Sequence, residues 1–158
     1  MEEKLKKNGF LMLEMFAICA LFLGGCVSMP GSDLGNLKPQ VEVLEIQNGD
    51  CTIFGKIHVP AGAECAGAGT VEKKPVIIMC HGYNGTYNDF FDDCDFYAKN
   101  GYIAYSFDFC GGSVYSQSSG RKTTEMTVFT EKSDVIAVYN YFAARDDVDA
   151  QRIYIFGG

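Results

Sequence analysis

Pro75-Val76-Ile77-Ile78-Met79-Cys80-His81-Gly82-Tyr83-Asn84-Gly85 opens with an unbroken apolar run and closes in a glycine-rich turn. A strand wet on one face alternates apolar and polar residues. Val76 to Cys80 does not alternate, which is the pattern of a strand covered on both faces of a parallel sheet. In open α/β sheets, ligand sites collect just past the carboxyl ends of the strands. His81-Gly82-Tyr83 therefore becomes the first candidate for chemistry. Small residues in such a turn let backbone N–H groups point outward, and acyl transfer needs donors where negative charge develops on a carbonyl oxygen. The Tyr83 N–H is the candidate donor. On these residues alone, a plain tight turn with a hydrogen-bonded imidazole is an equal reading.

The same grammar continues on the carboxyl side. Asn88 to Lys99 sets Phe90, Phe91, Cys94 and Tyr97 at helical spacings, and Asn100-Gly101 supplies a left-handed stop. Tyr102 to Phe107 reads as the next buried strand. Met126 to Arg145 reads as a longer helix, with Val128, Val135 and Phe142, and Ile136, Tyr139 and Ala143, at helical spacing. Ile153 to Phe156 is a third buried strand, and it runs into Gly157-Gly158. Strand, helix, strand, helix, strand is the α/β signature, and right-handed crossovers place helices on both faces. On the amino side, Val41, Val43, Leu44 and Ile46 precede Asn48-Gly49-Asp50, after which Thr52 to Val59 is again β-rich. Asn-Gly between two such runs predicts a hairpin. Ala61 to Thr70 is a small-residue, glycine-rich loop.

Residues 1–25 read as an export signal. Lys4, Lys6 and Lys7 precede an apolar stretch from Met15 to Leu23, and Leu23-Gly24-Gly25-Cys26 closes it. An apolar stretch this short is not a membrane span, which needs about 20 residues. Small residues before Cys26 resemble a bacterial lipoprotein signal, which implies cleavage before Cys26, lipidation of that residue and anchorage in the cell envelope. The competing reading is an uncleaved amphipathic start with an incidental cysteine, which Glu2, Glu3 and Glu14 keep open. Residues 26–39 carry Ser28, Pro30, Gly31, Ser32 and Gly35 without apolar periodicity, as a flexible tether does. The folded domain then occupies 40–158.

Thirteen basic against twenty acidic residues give a net charge of −7, which disfavours nucleic acid as a partner. Seven cysteines occur without a CxxC pair or Cys/His cluster, so zinc is disfavoured. Export permits disulfides, with Cys51–Cys65 or Cys94–Cys110 as local pairs; free buried thiols are the alternative.

Gly157 and Gly158 fit the first two positions of a G-x-S-x-G nucleophile elbow, whose serine sits on a strained strand-to-helix turn. Four segments taken together resemble the α/β-hydrolase family: Pro75 to Gly85, Gly101 to Phe109, Met126 to Val135 and Arg152 to Gly158. The likeness is to bacterial cinnamoyl or feruloyl esterases and related serine aminopeptidase-like hydrolases. It extends from about Lys74 to Gly158. It implies the N-terminal half of an α/β-hydrolase domain: a β-hairpin, then parallel β-α-β-α-β, cut at the elbow. It also implies a small-molecule carboxylic ester as substrate, an amide as the alternative, and no cofactor. Tyr83 would donate to the oxyanion from the His81-Gly82 loop. The serine, the acid and the general-base histidine would lie beyond Gly158, leaving this chain inactive by itself. A non-catalytic lipid-anchored binding protein, or a remnant, is the rival from another class.

Other chemistry-bearing residues receive structural readings. The family's order of nucleophile, acid and base excludes Asp108 and His81 from a triad, so Asp108 is expected to tie down the Cys110 to Gly120 loop. His58 is expected on the strand surface. Ser113, Ser116, Ser118 and Ser119 lie in a loop with no elbow around them. Arg121 and Lys122 are read as solvated loop charges, and Glu131, Lys132 and Asp134 as the polar face of the long helix. Ile153 to Phe156 should form an apolar open edge prone to aggregation, with a loose and poorly soluble fold.

Overall fold

The computed structural model describes residues 38–62 and 72–158. The signal (1–25), Cys26, the tether before residue 38, and Cys65 with most of its loop lie outside the described residues.

Five strands form one sheet: β1 Gln40–Asn48, β2 Cys51–Val59, β3 Lys74–Cys80, β4 Ile103–Phe107 and β5 Val148–Gly157. Helix α1, Phe91–Lys99, joins β3 to β4, and α2, Val128–Ala143, joins β4 to β5. The sheet order is β1-β2-β4-β3-β5. β1 and β2 form the predicted hairpin, with Asn48 opposite Cys51 and Gly49 at φ 61° in the two-residue turn. Only glycine takes that backbone freely, and such turns match the twist of paired strands. β2 runs antiparallel to β4, while β3 is parallel to β4 on one side and to β5 on the other. This is the α/β arrangement read from the sequence, with β3 the middle of the three parallel strands and its apolar run buried.

The alternation of β3 and β4 feeds two cores. Val76, Ile78, Ile103, Tyr105 and Phe107 meet Val138 and Phe142 of α2 and Ile53 and Ile57 of β2. On the opposite face, Ile77, Met79 and Ala104 pack with Cys94 of α1. Burying each large side chain contributes about 1.5–3 kcal/mol, so both helices are held chiefly by apolar contact. Tyr105 enters the larger core without leaving its hydroxyl orphaned: it donates to the Leu44 carbonyl at 3.0 Å.

Several sequence expectations are corrected. The inner face of α2 only partly follows the expected one: Phe142 is buried and Val135 packs against the core, but the helix also buries Asp134 and Val138 and leaves Val128 76%, Ile136 48% and Tyr139 39% exposed. The cause is Asp134, a buried carboxylate whose polarity disguises the inner face. Its Oδ1 accepts from Asn48 Nδ2 at 2.7 Å, and its Oδ2 accepts from the Cys110 N–H at 3.0 Å and Arg121 Nη1 at 3.3 Å. Arg121 is thus an ion-pair partner, not a solvated charge. Lys122 is exposed as expected. The final strand is not buried, since Tyr154, Ile155 and Phe156 are about half exposed. They stand on the open side of β5, which pairs only with β3. Cys94 and Cys110 are separate buried thiols in different cores, so the sheet itself prevents their pairing.

His58 is the sharpest reversal. Rather than lying on the surface it is fully buried, and its ring packs edge-on to Phe91 of α1 with centroids 4.7 Å apart. Neither ring nitrogen has a protein partner among the described residues. Burial lowers its pKa from 6.5, opposed by nearby Asp95 and reinforced by Lys56. The unfolded chain therefore binds more protons below 6.5, and the folded state is stabilised as pH rises. Denaturant titrations should show stability falling by up to about 1.4 kcal/mol per pH unit below 6.5 until the lower native pKa is reached. His58→Phe should remove that share of the slope, and an unchanged profile would contradict the buried neutral imidazole.

Candidate functional site

At the carboxyl edge of the parallel strands, the glycine-rich turn after β3 meets the end of β5. The pairing of β3 with β5 sets Cys80 opposite Gly157. The chain then turns at His81-Gly82 on one side and reaches Gly158 on the other. The approach is so close that a Cβ on Gly82 would lie 2.6 Å from the Gly158 carbonyl oxygen. The tertiary structure thus brings together the two segments that the sequence singled out separately.

His81 acts as a pin within this turn. The Phe109 N–H donates to its Nε2 at 3.3 Å, which leaves Nδ1 as the protonated nitrogen, and Nδ1 lies 2.8 Å from the Gly82 carbonyl that it can donate to. The ring is 6% exposed and stacks edge-on against Phe109. With both nitrogens engaged by backbone, it fixes the turn after β3 to the turn after β4. Gly85 N–H returns to the Gly82 carbonyl at 3.1 Å, and Asn84 adopts φ 60°. Tyr83 projects outward with its side chain 89% exposed. Among the described residues, no protein acceptor engages its N–H.

Asp108 fixes the rest of the rim, as its structural reading anticipated. Its Oδ1 accepts from the Tyr87 N–H at 2.6 Å and its Oδ2 from the Gln117 N–H at 2.6 Å. Its own N–H donates to the Phe54 carbonyl at 2.8 Å, and its carbonyl accepts from Ser118 Oγ at 2.6 Å. Ser118 Oγ in turn accepts from the Phe54 N–H at 2.8 Å. Ser116 Oγ donates to the Phe109 carbonyl, and Ser113 Oγ accepts from the Tyr115 N–H, so these loop serines are engaged in backbone bonding. No sequence signal pointed to Ser118, because its partners lie 10 and 64 residues away.

The thiol at this edge, Cys80, is buried. Burial, with a contribution from Glu131, pushes Cys80 up to about 11, and a protonated thiol is a poor nucleophile. No group of three or more His, Cys, Asp or Glu side chains among the described residues could hold a metal ion. A cleft of about 470 Å³ lies elsewhere, between the β1-β2 turn and α2, lined by residues such as Asn48, Phe129, Lys132 and Ile136.

Asp108→Ala would leave the partly buried Tyr87 N–H unpaired and free the loop at Gln117, with an expected cost of about 2 kcal/mol in urea denaturation. Gly82→Ala should push the turn after β3 away from the end of β5 and cost about 1–3 kcal/mol. Wild-type stability in both variants would show that this edge is not braced as described.

Neither a protein-family model nor a curated protein matches the sequence. Solved structures do match. Est1E from Butyrivibrio proteoclasticus, solved with ferulic acid bound, superposes with a TM-score of 0.57 at 21% identity over 72% of this chain and 41% of its own. GrgF, an α/β hydrolase from Penicillium sp. sh18, gives 0.59 at 18% identity over 75% of this chain and 37% of its own. DcsB, in complex with its substrate analogue, gives 0.60 at 19% identity over 75% of this chain and 36% of its own. The chain therefore has a partial α/β-hydrolase fold and spans about two-fifths of the length of these proteins.

Proposed function

We propose that this chain supplies the oxyanion side of a serine-hydrolase site that cleaves carboxylic esters. The observation that carries the reading is the apposition of Gly82 with Gly158 at the carboxyl ends of β3 and β5. An acyl-transfer site needs a nucleophile on a tight turn and an N–H donor within about 3 Å of the developing oxyanion. The reading assigns the donor to the Tyr83 N–H and requires a serine directly after Gly158. An acid and a general-base histidine would follow further along the chain, because His81 is committed to backbone and Asp108 to Tyr87 and Gln117. His81, Gly82 and Asp108 act as positioning residues. The ester preference is supported by the sequence resemblance and by ferulic acid in the Est1E structure; an amide substrate is the second outcome of the same chemistry. No cofactor is needed for this reaction.

In this proposal the polypeptide is exported and held at the cell envelope through lipid on Cys26. Mass spectrometry of the membrane fraction should find an N-terminal lipidated Cys26. An unmodified Cys26 within an intact N-terminus would refute the anchor.

The decisive assay uses the product translated through and beyond the Gly158 codon, with short p-nitrophenyl and cinnamoyl esters as substrates. Replacing the serine after Gly158 should lower kcat by about 10⁴- to 10⁶-fold. Tyr83→Pro removes the proposed donor and should lower kcat by about 10²- to 10³-fold. Tyr83→Phe, which keeps the N–H, should retain activity. Absence of serine at that position, or full activity in Tyr83→Pro, would overturn the assignment.

A further inference from the structure

Two buried thiols with no part in the Gly82–Gly158 apposition lie in the same core cluster. Cys51 opens β2, and Cys110 stands at the start of the loop after β4. Both belong to the larger core, at 4% and 0% exposure. Paired backbone bonds hold the loop against the strand: Thr52 N–H to the Ser119 carbonyl at 3.1 Å, and Ser119 N–H to the Thr52 carbonyl at 3.0 Å. Cys110 Sγ lies 3.8 Å from the Thr52 carbonyl oxygen and 3.7 Å from that of Ser119. Cys51, next to Thr52 in the chain, lies in the same core cluster, and the loop comes so close to it that a Cβ on Gly120 would lie 2.7 Å from the Cys51 Cα. The Cys110 backbone is clamped from behind, its N–H donating to Asp134 and its carbonyl accepting from Arg121. Cys94 lies in the core on the opposite face of the sheet, and Cys80 lies at the end of β3.

We propose that Cys51 and Cys110 form a covalent modification site that closes as an intramolecular disulfide, stapling the β1-β2 hairpin to the loop that Asp108 organises. The oxidant is a small disulfide such as oxidised glutathione. One cysteine thiolate attacks it to give a mixed disulfide and release one glutathione thiol. The second cysteine thiolate then displaces the other, forming the Cys51–Cys110 bond. Two S–H bonds are lost from the protein and two electrons pass to the oxidant, which leaves as two thiols.

Timing follows from burial. Desolvation, aided by the nearby Asp134 carboxylate, pushes Cys110 up to about 12, so in the closed fold its thiol stays protonated and out of reach. Exchange proceeds through thiolate. The bond therefore forms during folding, before the loop seats on β2, and is afterwards protected from reductant.

The test is independent of any ester hydrolysis. The full chain, reduced and denatured, is refolded in a glutathione redox buffer, then alkylated and mapped by mass spectrometry. The expected map links Cys51 to Cys110, and the thiols titratable in denaturant fall by two. The oxidised protein should melt about 10 °C above the reduced one. Cys94→Ser should leave the link intact, and Cys110→Ser should abolish it. Recovery of both cysteines alkylated, or their joining to other cysteines, would overturn the proposal. Should Cys110→Ser fail to fold, the map and the melting shift of the unsubstituted chain decide by themselves.

Discussion

Asp108 is the point on which the carboxyl edge of the parallel strands depends. It follows the central region of the sheet directly, and its N–H, its carbonyl and both carboxylate oxygens are all engaged. Those bonds reach β2 through Phe54, the segment before α1 through Tyr87, and the following loop through Gln117 and Ser118. Charge-assisted bonds to backbone N–H groups are short and worth more than neutral ones. One residue thereby ties two loops, through its carboxylate, and strand β2, through its backbone, into a single braced rim. His81 extends the brace by tying Phe109 to the turn after β3.

A second buried carboxylate performs the matching task one layer away. Asp134 on α2 joins the hairpin turn at Asn48, the loop at Cys110 and the Arg121 guanidinium. Burying a charge costs several kcal/mol unless it is paired and hydrogen-bonded, and here three partners compensate it. The consequence is geometric: α2 cannot rotate about its axis without stranding that charge. Its inner face is fixed by an acid as much as by Val138 and Phe142.

At the opposite edge of the sheet, β5 is an edge strand among the described residues. β5 pairs with β3 along one side, and Tyr154, Ile155 and Phe156 remain half exposed. An apolar edge strand with free backbone groups is a template for further pairing. The matched structures are more than twice as long as the segment that this chain shares with them.

By itself the sequence determined the order of strands and helices, the hairpin and the glycine-rich turn after β3. Each of these depends on local chemistry, whether an unbroken apolar run, an Asn-Gly turn or helical spacing. Even Asp108 was readable as a loop tether, because its partners in the following loop are close in the chain. Tertiary structure alone decided which polar groups are interior. His58 alternates along β2 like any surface residue, and only α1 settling over it, with Phe91 against its ring, makes it buried. Asp134 and Arg121 look like solvated charges until Asn48, 86 residues away, supplies the partner that makes burial tolerable. The meeting of Gly82 with Gly158 belongs to the same class. Strand register sets that contact across more than seventy residues, and register is a property of the assembled sheet.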